Sequence, residues 1–343
     1  MRRTTPRWYH PRHDPLFARA RVSHYSLLRL LADGECHSGE SLGGRLGAPL
    51  AAVLERVRAL NALGLRVQEL PGQAYRLAHP IDLLDREALG RLLQGNSTAF
   101  TVEIMDECPS TNGALMERAR NGAPHASVLA CEHQTQGRGR LGKPWHSGIG
   151  TDLTFSLLWR FQQGAGALTG LSLAVGVAMA RALARFGRAD VQLKWPNDLM
   201  LRGRKLGGIL VEVAGDHLGP SAMVIGVGLN VRWSAARAAA VDQPATALSE
   251  QGDSVPSRIA LLAAALAELG AALGEFARGG FAVFRAEWLE RHAWQGRRVT
   301  LRIAEREIAE GEAVGVGEDG ALLLRSARGV QPFHSGELRL VEP

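Results

Sequence analysis

The stretch Cys131–Trp145, CEHQTQGRGRLGKPW, decides how the rest of the chain is read. The apolar run Ser127-Val128-Leu129-Ala130-Cys131 leads into it and predicts a buried strand. After Gln134-Thr135-Gln136 comes Gly137-Arg138-Gly139-Arg140-Leu141-Gly142. Alternating glycine and arginine makes a poor helix or strand, because each glycine raises the entropic cost of order. Such a loop can wrap instead. Its glycines let backbone approach a ligand, and two guanidiniums can hold an anion with planar, multi-donor geometry. On this stretch alone a solvated basic loop or an RNA-binding Gly-Arg segment stays open.

Working outward, 343 residues suffice for two or three domains, and 46% hydrophobic with 22% charged residues suits a soluble globular protein. Cys36, Cys108 and Cys131 are too scattered for a zinc knuckle or a redox pair and suit the reducing cytoplasm. The net charge of +6 is concentrated in front, where Arg2, Arg3, Arg7, Arg12, Arg19 and Arg21 face only Asp14. With Pro6, Pro11 and Pro15, residues 1–22 read as a disordered basic arm. Arg2-Arg3 is followed by no apolar core, which argues against an export signal. The apolar run Leu168–Ala180 is too short to span a bilayer.

Residues 23–80 have the pattern of a winged helix-turn-helix. Leu27, Leu28, Leu30 and Leu31 mark one helix, Ser38 caps a second, and Pro49 opens a third carrying Leu50, Val53, Leu54, Val57 and Leu60. Leu65–Leu70, the turn Pro71-Gly72 and Ala74–Leu77 make the wing. The third helix is poorly equipped to read base edges, with Arg56, Arg58 and Arg66 as the nearby phosphate-binding cations.

A linker helix is expected across 79–100 on Leu83, Leu84, Leu89, Leu92 and Leu93. Strand-like and helix-like segments then alternate, as in a mixed α/β layer. Ser110-Thr111-Asn112 opens a helix, either as caps or as donors and acceptors for a neutral polar ligand. A helix is expected over Leu168–Phe186, then a strand from Val191 into the turn that holds Lys194, Asn197 and Asp198. Glycines inside Leu206–Glu212 and Val224–Val231 predict close approach of a backbone or a ligand. Beyond about Arg297, short strands and Asp-Gly and Arg-Gly turns fit a small β-barrel.

The segments PSTN at 109–112, QTQGRGRLGKPW at 134–145, KWPNDL at 194–199, RKLGGILVE at 204–212 and GVGLN at 226–230 resemble biotin protein ligases in order and spacing. With the region in front, the chain is similar to the bifunctional type that also represses the biotin operon. The resemblance implies an α+β protein: the winged helix at 23–80, linker helix and catalytic domain at 81–292, and an SH3-like barrel at 293–343. It implies that ATP and biotin form biotinyl-5′-adenylate, which a lysine of a biotin carboxyl carrier protein (that of acetyl-CoA carboxylase) then attacks.

Arg138, Arg140 and Lys205 would offset the charge of carboxylate and phosphate, and Asp198 would orient or deprotonate the acceptor lysine. Ser110, Thr111, Asn112 and Gln134, with Gly139 of the loop, would bind biotin. Trp145, Asn197 and Asn230 would hold the nucleotide. Mg²⁺ would accompany the polyphosphate, although no carboxylate cluster announces a metal cage. Operator DNA and a homodimer formed with adenylate bound are the further expected partners. Lipoate protein ligase, which shares the scaffold, is the alternative enzyme; an adenylate-sensing repressor with little ligase activity is the alternative class. The Ser-Thr-Asn cluster and Gln134 favour biotin, because lipoate lacks a ureido ring. Relatives that repress carry polar or basic residues where this chain has Pro49, Leu50, Leu54 and Glu55, so weak or retuned operator binding is expected.

Overall fold

The strand expected at Ser127–Cys131 lies inside a seven-stranded sheet whose two faces differ in chemistry. A computed structural model describes residues 23–214, 220–233, 244–251, 255–304 and 306–341; the expected basic arm at 1–22 lies outside them. The chain divides into two compact units, Met1–Leu83 and Leu84–Pro343.

The first unit contains α1 (His24–Leu31), β1 (His37–Ser38), α2 (Gly39–Leu46), α3 (Leu50–Ala62), β2 (Val67–Leu70) and β3 (Ala74–Leu77). The Ser38 hydroxyl accepts from the Ser41 amide at 3.1 Å and caps α2, which Gly47 ends in the left-handed region. The strands form an antiparallel sheet in the order β1-β3-β2. Leu27, Leu28 and Leu31 of α1 and Val53, Val57 and Leu60 of α3 are its buried core. Leu50 and Leu54 are half-buried, and Leu50 packs over Gly39, where a Cβ would lie 2.6 Å from its Cδ1. Both leucines thus serve packing as well as the helix surface.

The second unit opens with α4 (Arg86–Leu92), capped by Asp85 through the Ala88 amide at 2.6 Å. The helix expected in 79–100, ending at Gly95-Asn96-Ser97, is confined to these residues: Asp85 caps its start, and Gly95 beyond it is left-handed at φ +78°. There follow β4 (Thr101–Cys108), α5 (Thr111–Arg120), β5 (Ser127–Gln134), β6 (Asp152–Arg160) and α6 (Leu171–Ala184). The helix expected from Leu168 starts at Leu171, since Gly170 is left-handed at φ +76° and 165–168 coils into a 3-10 turn. Then come β7 (Gln192–Lys194), β8 (Asp198–Leu201), β9 (Arg204–Ala214), β10 (Ala222–Asn230), α7 (Arg258–Gly279) and α8 (Arg285–Glu290).

The sheet order is β4-β5-β6-β10-β9-β8-β7, with β4 and β5 parallel. Residues directly opposed across a strand pair share a face. One face carries Leu153, Phe155, Leu157 and Trp159 of β6 and Met223, Ile225, Val227 and Leu229 of β10, all buried in a core with α6 and α7. α7 is long and apolar enough to cross a membrane, and its Leu262, Leu266, Leu269 and Leu273 are buried in this core. The other face offers Thr154, Ser156, Gly208, Gly226 and Gly228. There α5 covers only the far end, packing Leu115 and Ala119 against Leu158, Ala214, Ala222 and Val224.

After α8 the chain pairs in parallel with β7, Leu193 donating to Arg291 O at 2.8 Å and Ala293 to Leu193 O at 2.9 Å. This covers the sheet edge. The chain ends in a second antiparallel sheet of β11 (Arg298–Ile303), β12 (Arg306–Val316), β13 (Leu322–Ser326), β14 (Gly329–Phe333) and β15 (Glu337–Leu340), ordered β14-β13-β12-β11-β15.

A fully buried ion pair, Glu132–Arg258 at 2.7 Å with each side chain 1% exposed, ties these layers together. Glu132 also accepts from the Leu84 amide, and Arg258 donates to Asp152 O at 2.8 Å. Removing one member of a buried pair strands the other charge. Arg258→Met should therefore lower the stability of this unit by about 3–5 kcal/mol. Urea unfolding followed by the fluorescence of Trp145, Trp159, Trp195, Trp288 and Trp294, which all belong to it, checks this.

Candidate functional site

The glycines of β9 and β10 are needed because side chains already lie where their Cβ atoms would be. A Cβ on Gly226 would overlap the Asn112 amide, and one on Gly228 would overlap the Trp145 indole. Gly207 faces the Gly228 carbonyl, 2.7 Å from where its Cβ would stand. The sheet is thus a bare floor on which Asn112 and Trp145 lie directly.

The polar cluster at the start of α5 is wired to that floor. The Ser110 hydroxyl caps the helix through the Gly113 amide at 3.4 Å. Gln134 Oε1, at the end of β5, accepts from the Thr111 amide at 2.7 Å and from Thr111 Oγ1 at 3.1 Å. Ser156 Oγ lies 2.7 Å from Thr111 Oγ1 and 2.5 Å from Asn112 Oδ1, its single hydroxyl proton serving these two acceptors in turn. Asn112 Nδ2 donates to Glu212 at 2.9 Å and to Leu210 O at 3.3 Å. Ser110, Thr111, Asn112 and Gln134 are all buried. Buried polar groups with such fixed partners make a pre-oriented surface for a ligand with both donors and acceptors.

The Gly-Arg loop folds back on itself. Trp145 N donates to Gly137 O at 2.8 Å, Gly139 N to Lys143 O at 2.7 Å, and Lys143 N to Arg140 O at 3.1 Å. Leu141 and Gly142 both take left-handed backbone, φ +55° and +75°, which makes the tip. Leu141 stands 65% exposed there.

Each loop cation reaches a different element. Arg138 meets Glu212 of β9 at 3.4 Å, and Lys143 meets Glu337 of β15 at 2.6 Å. Arg140 reaches Asn197 Oδ1 at 3.4 Å and Gly336 O at 3.5 Å, both neutral acceptors. Burial pushes the Arg140 guanidinium below its ordinary value, against the pull of Asp198 and Glu337.

Asp198 sits beside two ammoniums, Lys205 at 2.7 Å and Lys194 at 3.6 Å. Burial pushes Lys194 below the usual lysine range; Asp198 opposes this shift and Lys205 adds to it. Lys194 also lies 4.4 Å above the Trp294 ring. Asn197 donates to Ile209 O at 2.8 Å. Asn230 donates to Thr246 O at 2.8 Å, while its Oδ1 is buried without a partner among the described residues. Among those residues no group of three or more His, Cys, Asp or Glu could hold a metal ion.

The structure therefore groups Arg140, Asn197, Asp198 and Lys205 at one end of the floor, and Ser110–Asn112, Gln134 and Arg138 at the other. Trp145 lies between them, over Gly228 and near Gly208. Ser156, Glu212, Lys143 and Glu337 also line the site and were not singled out from sequence. Ser156 and Glu212 were within reach by parity, since Ser156 pairs with Gly226 and Glu212 follows Gly208 at even spacing. Lys143 and Glu337 are far apart in the chain and carry no such signal.

Gly228→Ala should displace the Trp145 indole, since the new methyl overlaps the ring. The expected cost is about 1–3 kcal/mol of stability, read from urea unfolding, with an altered near-ultraviolet tryptophan signal.

Comparison with known proteins identifies the family. Residues 106–230 match the biotin/lipoate A/B protein ligase family, and residues 296–338 match the biotin protein ligase C-terminal domain. The bifunctional ligase/repressor BirA of Escherichia coli K12 is 38% identical over 314 residues, 92% of this chain and 96% of that protein. The biotin–[acetyl-CoA-carboxylase] ligase of Mycobacterium tuberculosis is 33% identical over 254 residues, 73% and 91% of the two chains. A biotin protein ligase from Aquifex aeolicus, solved with biotin and ATP, superimposes with a TM-score of 0.60 at 28% identity, covering 71% of this chain and 99% of its own.

Proposed function

Because the chain belongs to the biotin protein ligase family, we propose a residue-by-residue account of how it forms biotinyl-5′-adenylate and passes biotin to a carrier lysine. It is an ATP-dependent biotin–[biotin carboxyl carrier protein] ligase.

The biotin carboxylate attacks the α-phosphorus of ATP and pyrophosphate leaves. Two anions must approach, so the barrier is largely electrostatic. Arg138, Arg140 and Lys205 supply the positive field. The observation that carries this reading is the half-buried Arg140, whose contacts are neutral oxygens, beside a Lys205 that holds an internal carboxylate. Ser110, Thr111, Asn112 and Gln134, with the Gly139 backbone, bind biotin. Their buried donors and acceptors suit its ureido ring and leave lipoate, which lacks that ring, the poorer fit.

Trp145 offers a flat apolar face to adenine, Asn197 lines the nucleotide side, and the unpartnered Asn230 Oδ1 suits the exocyclic amine. The residues do not fit a protein-held Mg²⁺. The carboxylates at the site, Asp198, Glu212 and Glu337, each pair with a cation. Mg²⁺ is therefore assigned to the triphosphate and not to a protein carboxylate cage.

In the second half-reaction the acceptor lysine, as free amine, attacks the acyl carbon and AMP leaves. Once Lys205 turns to phosphate, Asp198 is the carboxylate that can take the proton. The carrier domain of acetyl-CoA carboxylase is the substrate. The intact cation set argues against a sensor without ligase activity. Lys205→Ala should lower ATP–pyrophosphate exchange on the order of 10²–10³-fold with the fold intact, the usual loss for one charge-stabilising donor. A variant that keeps more than about a tenth of the exchange overturns the assignment.

The first unit is read as a winged helix-turn-helix with β2–β3 as the wing, the end sheet as an SH3-like barrel, and the working compartment as the cytoplasm. Dimerisation with bound adenylate is part of the same reading. The half-buried Leu50 and Leu54 leave α3 few groups for base edges, so contact with operator DNA falls to Arg56, Arg58 and Arg66. Competition between biotin-operon promoter and scrambled DNA across a salt series, with adenylate present, should show a preference below about 10³-fold. A larger preference would mean that α3 reads sequence.

A further inference from the structure

Glu212 ends the RKLGGILVE segment, and neither half-reaction has used it. Its Oε2 accepts from two donors at once, Asn112 Nδ2 at 2.9 Å and Arg138 Nη2 at 3.4 Å. Glu212 opposes Val224 and shares the floor's face with Gly208, Gly226 and Gly228. Arg138 Nη2 lies 3.7 Å from where a Cβ of Gly113 would be, so the guanidinium rests against the first turn of α5. The loop arginine is thus seated beside Asn112 on a carboxylate of the protein itself.

We propose that Glu212 is a positioning residue that parks Arg138 in place of the ligand's anion and links the loop to Asn112. The assignment rests on the reading that Arg138 serves the carboxylate or phosphate. A ligand anion entering the site competes with Glu212 for one guanidinium. When it wins, Glu212 keeps Asn112 oriented; when it leaves, Arg138 has a place to return to. Parking pre-orients the loop and weakens ligand capture, because part of the attraction of Arg138 is already spent on Glu212.

Glu212→Gln separates this role from simple support of the pocket. The amide oxygen can still accept from Asn112 but no longer holds a guanidinium by charge. If Glu212 parks Arg138, the KM for biotin in pyrophosphate exchange should fall about two- to fivefold at low salt, the range for a partly exposed ion pair. The difference should shrink as salt screens the pair. In an Arg138→Gln background the same substitution should have no effect on KM. Glu212→Asp, which shortens the reach to Arg138, should shift KM in the same direction by less, and it carries the test if Glu212→Gln does not fold. A KM that rises or stays unchanged, while Arg138→Gln alone impairs exchange, overturns the parking role and leaves the proposed chemistry standing. Arg138→Gln as active as the parent overturns the reading of the loop, and this assignment with it.

Discussion

Everything at the site depends on how closely other groups approach the backbone of β9 and β10. Any side chain at Gly226 or Gly228 would occupy the space of Asn112 or Trp145. The same requirement recurs at Gly137, where a Cβ would overlap the Trp145 carbonyl that follows the loop. Floor, aromatic lid and loop are therefore one packing problem. Ser156, small and polar, sits where β6 continues the floor and spans both Thr111 and Asn112. A larger residue there would push α5 off the sheet, and an apolar one would leave buried acceptors unmatched.

Electrostatics sets the second constraint. A site built for carboxylate and polyphosphate must keep several cations close together before either arrives. The protein does this with its own carboxylates: Glu212 for Arg138, Asp198 for Lys205, Glu337 for Lys143. Two of these come from the sheet around the floor, and the third reaches over from β15. Arg140 is the exception, resting on neutral oxygens with its guanidinium partly desolvated. An ion pair of this kind is individually weak where water reaches it. Its value lies in keeping long side chains near the geometry the ligand requires.

The sequence made the motifs legible because their chemistry is local. Gly137–Gly142 could only be a loop, Ser110 could only begin a helix well, and paired glycines announced close approach. The strand from Val191 and the glycine-bearing strands follow the expected pattern, whereas Asp198, expected in the turn, opens the further strand β8. What stayed hidden depends on tertiary contact. The leucine spacing around 79–100 overstates the linker helix: Leu84 is buried ahead of it, and the helix starts only at the Asp85 cap. Gly170, left-handed at φ +76°, delays the start of α6, and a Cβ there would meet Phe281 and Asp319, which are far off in the chain. The contacts of Lys143 with Glu337 and of Glu132 with Arg258 join residues more than a hundred positions apart, and no periodicity reports them.

The strand order has a consequence for how the chain is made. β6 has no partner on its inner side until β10 exists, because β7, β8 and β9 come between them in sequence and stand beyond β10 in space. At a synthesis rate of roughly 5–20 residues per second, that interval lasts on the order of several seconds. Throughout it Leu153, Phe155 and Leu157 have one flank unpaired, and the Gly-Arg loop has no floor to fold onto. Such non-local pairing slows folding and leaves an open strand edge. The ligand site is thus among the last parts of the sheet to be completed on the ribosome, although its loop is among the first parts of the domain to emerge.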